Sequence, residues 1–183
     1  MKFEKTPVPE HPLDAIDLAI LDALQQNCKM PLAEIGKRVD LSAPSVVERI
    51  KKLEESGVIR GYAALLDARA LGKDVTAFIG VSISHPSAFE PFEKEVERSG
   101  DVLECHHVTG QHTLMIKVRT ESTETLEGLI DMIRRIEGVT RTETMVVLST
   151  HTERTRVALD GTEAPLPRRR RSGRSRRADA EVL

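Results

Sequence analysis

The sequence predicts an α+β chain in two parts, a trihelical unit followed by a ferredoxin-like βαββαβ domain. Two observations carry this. Apolar residues recur at spacings of three and four up to Leu53, and from Val75 they alternate with a period of two. The segments after Val75 also run in the order strand, helix, strand, strand, helix, strand, the split β-α-β arrangement.

Leu13, Ile16, Ile20 and Leu24 define the first helix, opened by Asp14 in a capping position with Asp17 three residues on, and ending near Asn27. Pro31 opens the second, with Leu32, Ile35 and Val39 on one face and a stop at Asp40. In the third, Ser42 caps, Pro44 occupies the first turn, Val46, Ile50 and Leu53 form the apolar stripe, and Gly57 terminates it. The run from Val58 to Leu66 reads as extended chain leaving this unit. A strand follows in which Val75, Ala77, Ile79, Val81 and Ile83 share one face. Phe89, Phe92 and Val96 mark a helix. Strands over 102–109 and 112–118 meet at Gly110-Gln111 in a hairpin-like connection. Leu126, Leu129, Ile130, Ile133 and Ile136 mark a last helix closed by Gly138, and residues 139–148 form a last strand. Two helices then cover one face of a four-stranded antiparallel sheet, and the other face is left for self-association. The expected division is an arm over 1–12, a trihelical domain over 13–61, a hinge over 62–74, a ferredoxin-like domain over 75–156, and a disordered arginine-rich tail over 157–183.

Hydrophobic residues at 39% and charged residues at 31% describe a soluble globular chain. No apolar run approaches a membrane span, and acidic residues and prolines interrupt the N-terminus where a secretory signal needs an apolar stretch. A cytoplasmic location is expected, with no membrane partner. Cys28 and Cys105 lie far apart without a CxxC motif, which fits reduced thiols. The net charge of -2 conceals an asymmetry. Residues 165–183 hold seven arginines against Asp179 and Glu181, a net of +5, so residues 1–164 carry -7. Any nucleic-acid contact therefore rests on where charge is placed, not on its total.

The third helix is the candidate reader of DNA. Ser45, Glu48, Arg49 and Lys52 form a polar stripe suited to a major groove. Ser42, Pro44 and Ser45 mark the helix start, where amides bind phosphate. Arg49 has the forked geometry that matches guanine, and Lys51, Lys52 and Arg60 suit the backbone. The same pattern also fits a solvated helix face on a protein-binding module.

Leu13-Asp14-x-x-Asp17, Leu32-Ala33-Glu34-Ile35-Gly36-Lys37-Arg38-Val39, Leu41-Ser42, Val46-x-x-Arg49-Ile50-x-x-Leu53-Glu54 and Gly57-Val58-Ile59-x-Gly61-Tyr62 resemble the Lrp/AsnC family of regulators. Glu104-Cys105-x-x-Val108-Thr109-Gly110 resembles its effector domain. The resemblance implies a winged helix-turn-helix binding double-stranded DNA, homodimers through the C-terminal sheets, rings such as octamers, and an amino-acid-like effector. It implies effector binding at Gly110, Gln111, His112 and Thr113. Two positions depart from the family's pattern. Asp40 stands where glycine is usual in the bend, a residue that tolerates left-handed backbone. Thr113 stands where an acidic residue is usual, which removes the natural partner of an ammonium group.

His106, His107 and His112 invite a metal reading, but adjacent strand residues face opposite ways and no ligand set is completed, so neither metal nor cofactor is expected. The arginine run suits nonspecific phosphate contacts. Some chains similar to this family decarboxylate tetrapyrroles. No nucleophile-base pair supports an enzyme here. A ligand-sensing oligomerisation module without DNA binding is the other alternative.

Overall fold

A computed structural model describes residues 12–159. The chain divides into two compact units, residues 1–63 together with 155–183, and residues 64–154. Residues 1–11 of the arm and 160–183 of the arginine-rich tail lie outside the described residues.

The first unit holds α1 (Ala15–Gln26), α2 (Leu32–Val39) and α3 (Ala43–Glu55). Asp14 caps α1 by accepting from the Asp17 amide at 2.7 Å, while Asp17 accepts from the Asp14 amide at 3.2 Å. This reciprocal box satisfies two amides that the first turn leaves open. Ile20, Leu21, Ala23, Met30, Ile35, Val46 and Leu53 interlock as the core. The bend between α2 and α3 depends on two residues. Asp40 closes α2 in the left-handed conformation, φ 54 and ψ 46. The Leu41 amide then donates back to the Gly36 carbonyl at 2.9 Å, which folds the chain so tightly that a Cβ at Gly36 would collide with the Leu41 carbonyl oxygen. Past α3, the Ile59 amide donates to the Leu53 carbonyl and the Tyr62 hydroxyl to Glu54 at 2.8 Å. Partial burial and the Glu54 carboxylate push the Tyr62 phenol up to about 12.

The second unit runs β1 (Val75–Ile83), α4 (Phe89–Glu97), β2 (Val102–His107), β3 (Leu114–Thr120), α5 (Thr123–Arg134) and β4 (Val139–Val146). The sheet is antiparallel throughout, in the order β2-β3-β1-β4. Ala77, Ile79, Val81, Leu114, Ile116 and Val118 pack on Phe92, Val96, Leu126, Leu129 and Ile133 of the helices. Strand alternation then puts Phe78, Gly80 and Ser82 of β1 on the opposite face. Register adds Met115 and Lys117 of β3 and Arg141, Glu143 and Met145 of β4 to it. The β2–β3 connection is longer than the two-residue turn expected at Gly110-Gln111. Thr113 departs from regular pairing, its amide donating to the Val81 carbonyl of β1 at 2.9 Å while its carbonyl accepts from the Val108 amide at 3.1 Å, and β3 begins only at Leu114.

Candidate nucleic-acid interface and effector loop

Successive residues of an α-helix turn by about 100°. With Val46 and Leu53 buried and Ile50 packed beside them, Pro44, Val47, Glu48, Lys51, Lys52 and Glu55 of α3 point outward and are exposed. Ser42 is exposed at the cap and accepts from the Ser45 amide at 3.3 Å, and the two hydroxyls lie 2.9 Å apart. The lysines of this face are paired along the helix, Lys52 with Glu48 at 3.0 Å and Lys51 with Glu55 at 3.5 Å. Lys52 holds the Glu48 carboxyl below its usual range. Such exposed pairs are weak in water and open readily toward a phosphate. Arg60 is exposed beyond the helix. Val47, 46% exposed, belongs to the face although a stripe of polar residues does not include it. Its position three residues after Pro44 and four before Lys51 is the signal that finds it.

Arg49 does not join that face. Its angular position lies only about 60° from the Val46 axis, at the flank of the packed stripe. From there the guanidinium reaches Asp14 at 2.7 Å and Asp17 at 2.8 Å. The amide of Asp17 first, and Arg49 next, hold the Asp14 carboxyl below its usual range. The group expected to read guanine instead ties α3 to the N-terminal cap of α1. A charge stripe counted at i, i+3, i+4 and i+7 is silent about this, because the carboxylates come from another helix.

The four residues of the effector loop separate in the same way. Gly110, at φ 117, and Gln111 are exposed at the tip. Thr113 is turned inward, its hydroxyl accepting from the Ile83 amide at 3.2 Å. His112 lies over Gly80, its side chain only 9% exposed, with Nε2 3.3 Å from Glu143 and Nδ1 buried without a hydrogen-bond partner. The tip therefore offers Gly110 and Gln111, while His112 belongs to the sheet. The other two histidines diverge. His106 meets Glu104 at 3.2 Å, and His107 stacks obliquely on Phe89 with ring centroids 4.9 Å apart. Among the described residues no group of three or more His, Cys, Asp or Glu side chains could hold a metal ion, and no helix is long and apolar enough to cross a membrane.

The AsnC-type helix-turn-helix domain matches residues 13–54, and the Lrp/AsnC ligand binding domain matches residues 76–157. The chain belongs to the Lrp/AsnC family of transcriptional regulators. The HTH-type transcriptional regulator FL11 of Pyrococcus horikoshii is 38% identical over 81% of this chain and 97% of its own length. The leucine-responsive regulatory protein of Escherichia coli is 34% identical over 76% of this chain and 87% of its own. Among solved structures, a transcriptional regulator of Neisseria meningitidis in complex with L-methionine superposes with a TM-score of 0.78 at 30% identity, covering 81% of this chain and 98% of that one. AsnC of Escherichia coli gives 0.74 at 30% identity, over 79% and 98%. An Lrp/AsnC regulator thus combines the α3 face and the sheet domain described above.

Proposed function

We propose that this Lrp/AsnC regulator binds specific duplex sites as a homodimer, with α3 of each subunit in a major groove, and that it is not an enzyme. The observation that carries this is the α3 face itself. Ser42, Pro44 and Ser45 lie at a helix N-terminus whose dipole and first-turn amides favour phosphate. Glu48 accepts from the exocyclic amine of cytosine, Val47 meets the thymine methyl, and Lys51, Lys52 and Arg60 meet the backbone. Arg49 is a positioning residue that fixes α3 on α1. The second copy covers the sheet face bearing Phe78, Met115 and Met145, so a cytoplasmic homodimer presents two readers. Footprinting of genomic fragments with the purified chain tests this. Inverted half-sites spaced by about one helical turn, or a multiple of it, are expected. Sites without inverted symmetry, or protection independent of sequence, would reject it. Met115→Arg should yield monomers by sedimentation and lose operator binding.

For the effector, Gly110 permits close backbone approach and Gln111 supplies neutral donors and acceptors at the loop tip. The N. meningitidis relative is an L-methionine complex, and this chain responds to a related small molecule. With a threonine in place of a carboxylate at position 113, a ligand with a carboxylate and no free ammonium, such as a 2-oxo acid, is favoured over a simple amino acid. Calorimetry with both panels separates them, and tight saturable binding of an amino acid overturns the preference.

A further inference from the structure

The chain crosses between its two units twice, at 63–64 and again at 154–155. The second crossing is fastened on both sides. On the sheet unit, Lys117 at 3.2 Å and Arg119 at 3.0 Å hold the Glu153 carboxylate, Lys117 first and Arg119 next keeping it below its usual range. On the helical unit, the Val157 amide donates to Gln25 Oε1 at 2.7 Å, and Gln25 Nε2 donates to the Val157 carbonyl at 3.1 Å. One side-chain amide thus takes both backbone groups of one residue. Arg156 pairs with Asp22, and Leu159 packs against the core of α1, α2 and α3. Hydrogen bonding, charge and burial all fix 156–159 on this unit.

Only Arg154 and Thr155 lie between the two fastenings. At the first crossing Tyr62 is bonded to Glu54 and Lys73 to Asp101, with residues 63–72 between them. Fully extended, three steps of chain cover at most about 11 Å and eleven steps about 40 Å. Held by the first crossing alone, the units have the longer range; held by both, they are limited by the shorter tether. The fastenings of that tether are open to solvent, since Glu153 is half-exposed and Gln25 lies at the surface. Ion pairs of this kind are weak in water and weaken further with salt, so the tether opens without either unit unfolding.

We infer that Glu153 and residues 156–159 form a latch. Closed, it confines the helical unit, and α3 with it, to a narrow range about the sheet unit; open, it leaves that unit to range on the 63–72 connection. The two fastenings act in series, so the loss of either opens the latch. In a homodimer joined through its sheets, the range of each α3 decides how strictly the spacing between half-sites is read. That consequence rests on the regulator reading above, whereas the latch itself does not.

Paired spin labels on the full chain read the range directly. They are placed by Lys37→Cys in α2 and Glu127→Cys in α5, both exposed, on a Cys28→Ser background with unlabelled chain in excess. Burial pushes the Cys105 thiol up to about 11, so it resists labelling at neutral pH. The intact latch is compared with Asp22→Asn combined with Gln25→Ala, with Glu153→Ala, and with all three substitutions together. The intact latch should give a narrow distance distribution. Each opened protein should give one about twice as wide or more, as the square root of the free chain length implies. The combined variant should be no wider than either, because the fastenings act in series. Glu153 and Gln25 lie in different units, so equal broadening from either cannot come from unfolding of α1. Unchanged widths overturn the latch, and so do widths that add, which would report two independent local losses. Operators whose half-sites are moved apart by about five base pairs, half a helical turn, give a second readout. The intact latch should lose at least about tenfold in affinity on the shifted operator, and the opened proteins less than about threefold. Equal losses overturn the role in placing α3. A wild type that prefers no spacing strikes the regulator reading instead, and the label distances still decide the latch.

Discussion

Each unit contains a glycine whose missing Cβ is the space another group occupies, and the two differ in what occupies it. Over Gly36 sits the carbonyl oxygen of Leu41; over Gly80 sits the imidazole of His112. The first neighbour is backbone, held by the hydrogen bond that the Leu41 amide donates to the Gly36 carbonyl and by the left-handed turn at Asp40. The second is a side chain with two rotatable bonds, a loose 3.3 Å contact to Glu143 and an unmatched Nδ1. Close approach by backbone defines the fold. Close approach by a side chain fills a surface that the fold has already made.

The largest expected effect follows from that difference. Gly36→Ala cannot be relieved without breaking the bend between α2 and α3, so it should cost the helical unit about 3 kcal/mol or more. Tyr62 is the sole tyrosine in a chain without tryptophan, so its fluorescence follows this unit selectively. A denaturation midpoint unchanged by Gly36→Ala would show that the bend is not fixed by this close approach. Gly80→Ala should cost less, about 1 to 3 kcal/mol, because the imidazole can swing out. Hydrogen exchange of β1 and β3 amides reads this effect. Adding His112→Ala should restore most of the stability, a positive coupling between touching residues. A double variant as unstable as the sum of the singles would mean that the added methyl collides with something other than the ring.

The same contrast explains how much of the molecule is legible in the sequence. Helix caps and stripes are local: Asp14, Ser42 and the spacing of Val46, Ile50 and Leu53 identify their elements because the partners lie within four residues. Alternation does as much for β1. The limits of the hairpin are not legible, since Thr113 keeps a bond from Val108 but also bonds Val81 and Ile83, some thirty residues earlier, and so departs from regular pairing. The two side chains that point elsewhere than their pattern suggests share this cause. Arg49 is captured by carboxylates 32 and 35 positions away, and His112 settles on a glycine of another strand. Local pattern gives a side chain its face on an element, whereas the neighbour it meets is a property of the assembled chain. The docking of residues 156–159 on α1 is invisible for the same reason, with 132 positions between Gln25 and Val157.

Arg49 gives a smaller and pH-dependent test. The Asp14 carboxyl titrates below its ordinary 3.8 in the folded unit. A group lowered on folding contributes stability that is present above 3.8 and is lost as pH falls through the folded value. The helical unit should therefore weaken on acidification below about pH 4, with Tyr62 fluorescence reporting it. Arg49→Ala should cost at most about 1 kcal/mol at pH 7, as expected for pairs this exposed, and should reduce the acid dependence. Its DNA sequence preference should persist. A relaxed preference with full stability would return Arg49 to the reading face.

Asp40 supplies the smallest effect and the sharpest separation of conformation from side-chain chemistry. Left-handed backbone costs an ordinary L-residue about 1 to 2 kcal/mol, and aspartate less because its short polar side chain is accommodated locally. Glycine removes that cost but surrenders about 0.5 to 1 kcal/mol more conformational entropy on folding. The two effects nearly offset, so Asp40→Gly should change the stability of the helical unit by no more than about 0.5 kcal/mol. A β-branched residue has neither advantage, and Asp40→Val should lose about 2 kcal/mol through conformation alone. Denaturant titration of all three proteins, followed at Tyr62, compares them directly. If Asp40→Gly were destabilised as much as Asp40→Val, the carboxylate itself would be holding the bend. The near-equality expected of aspartate and glycine means that either residue can close α2 in the left-handed conformation and keep the bend between α2 and α3.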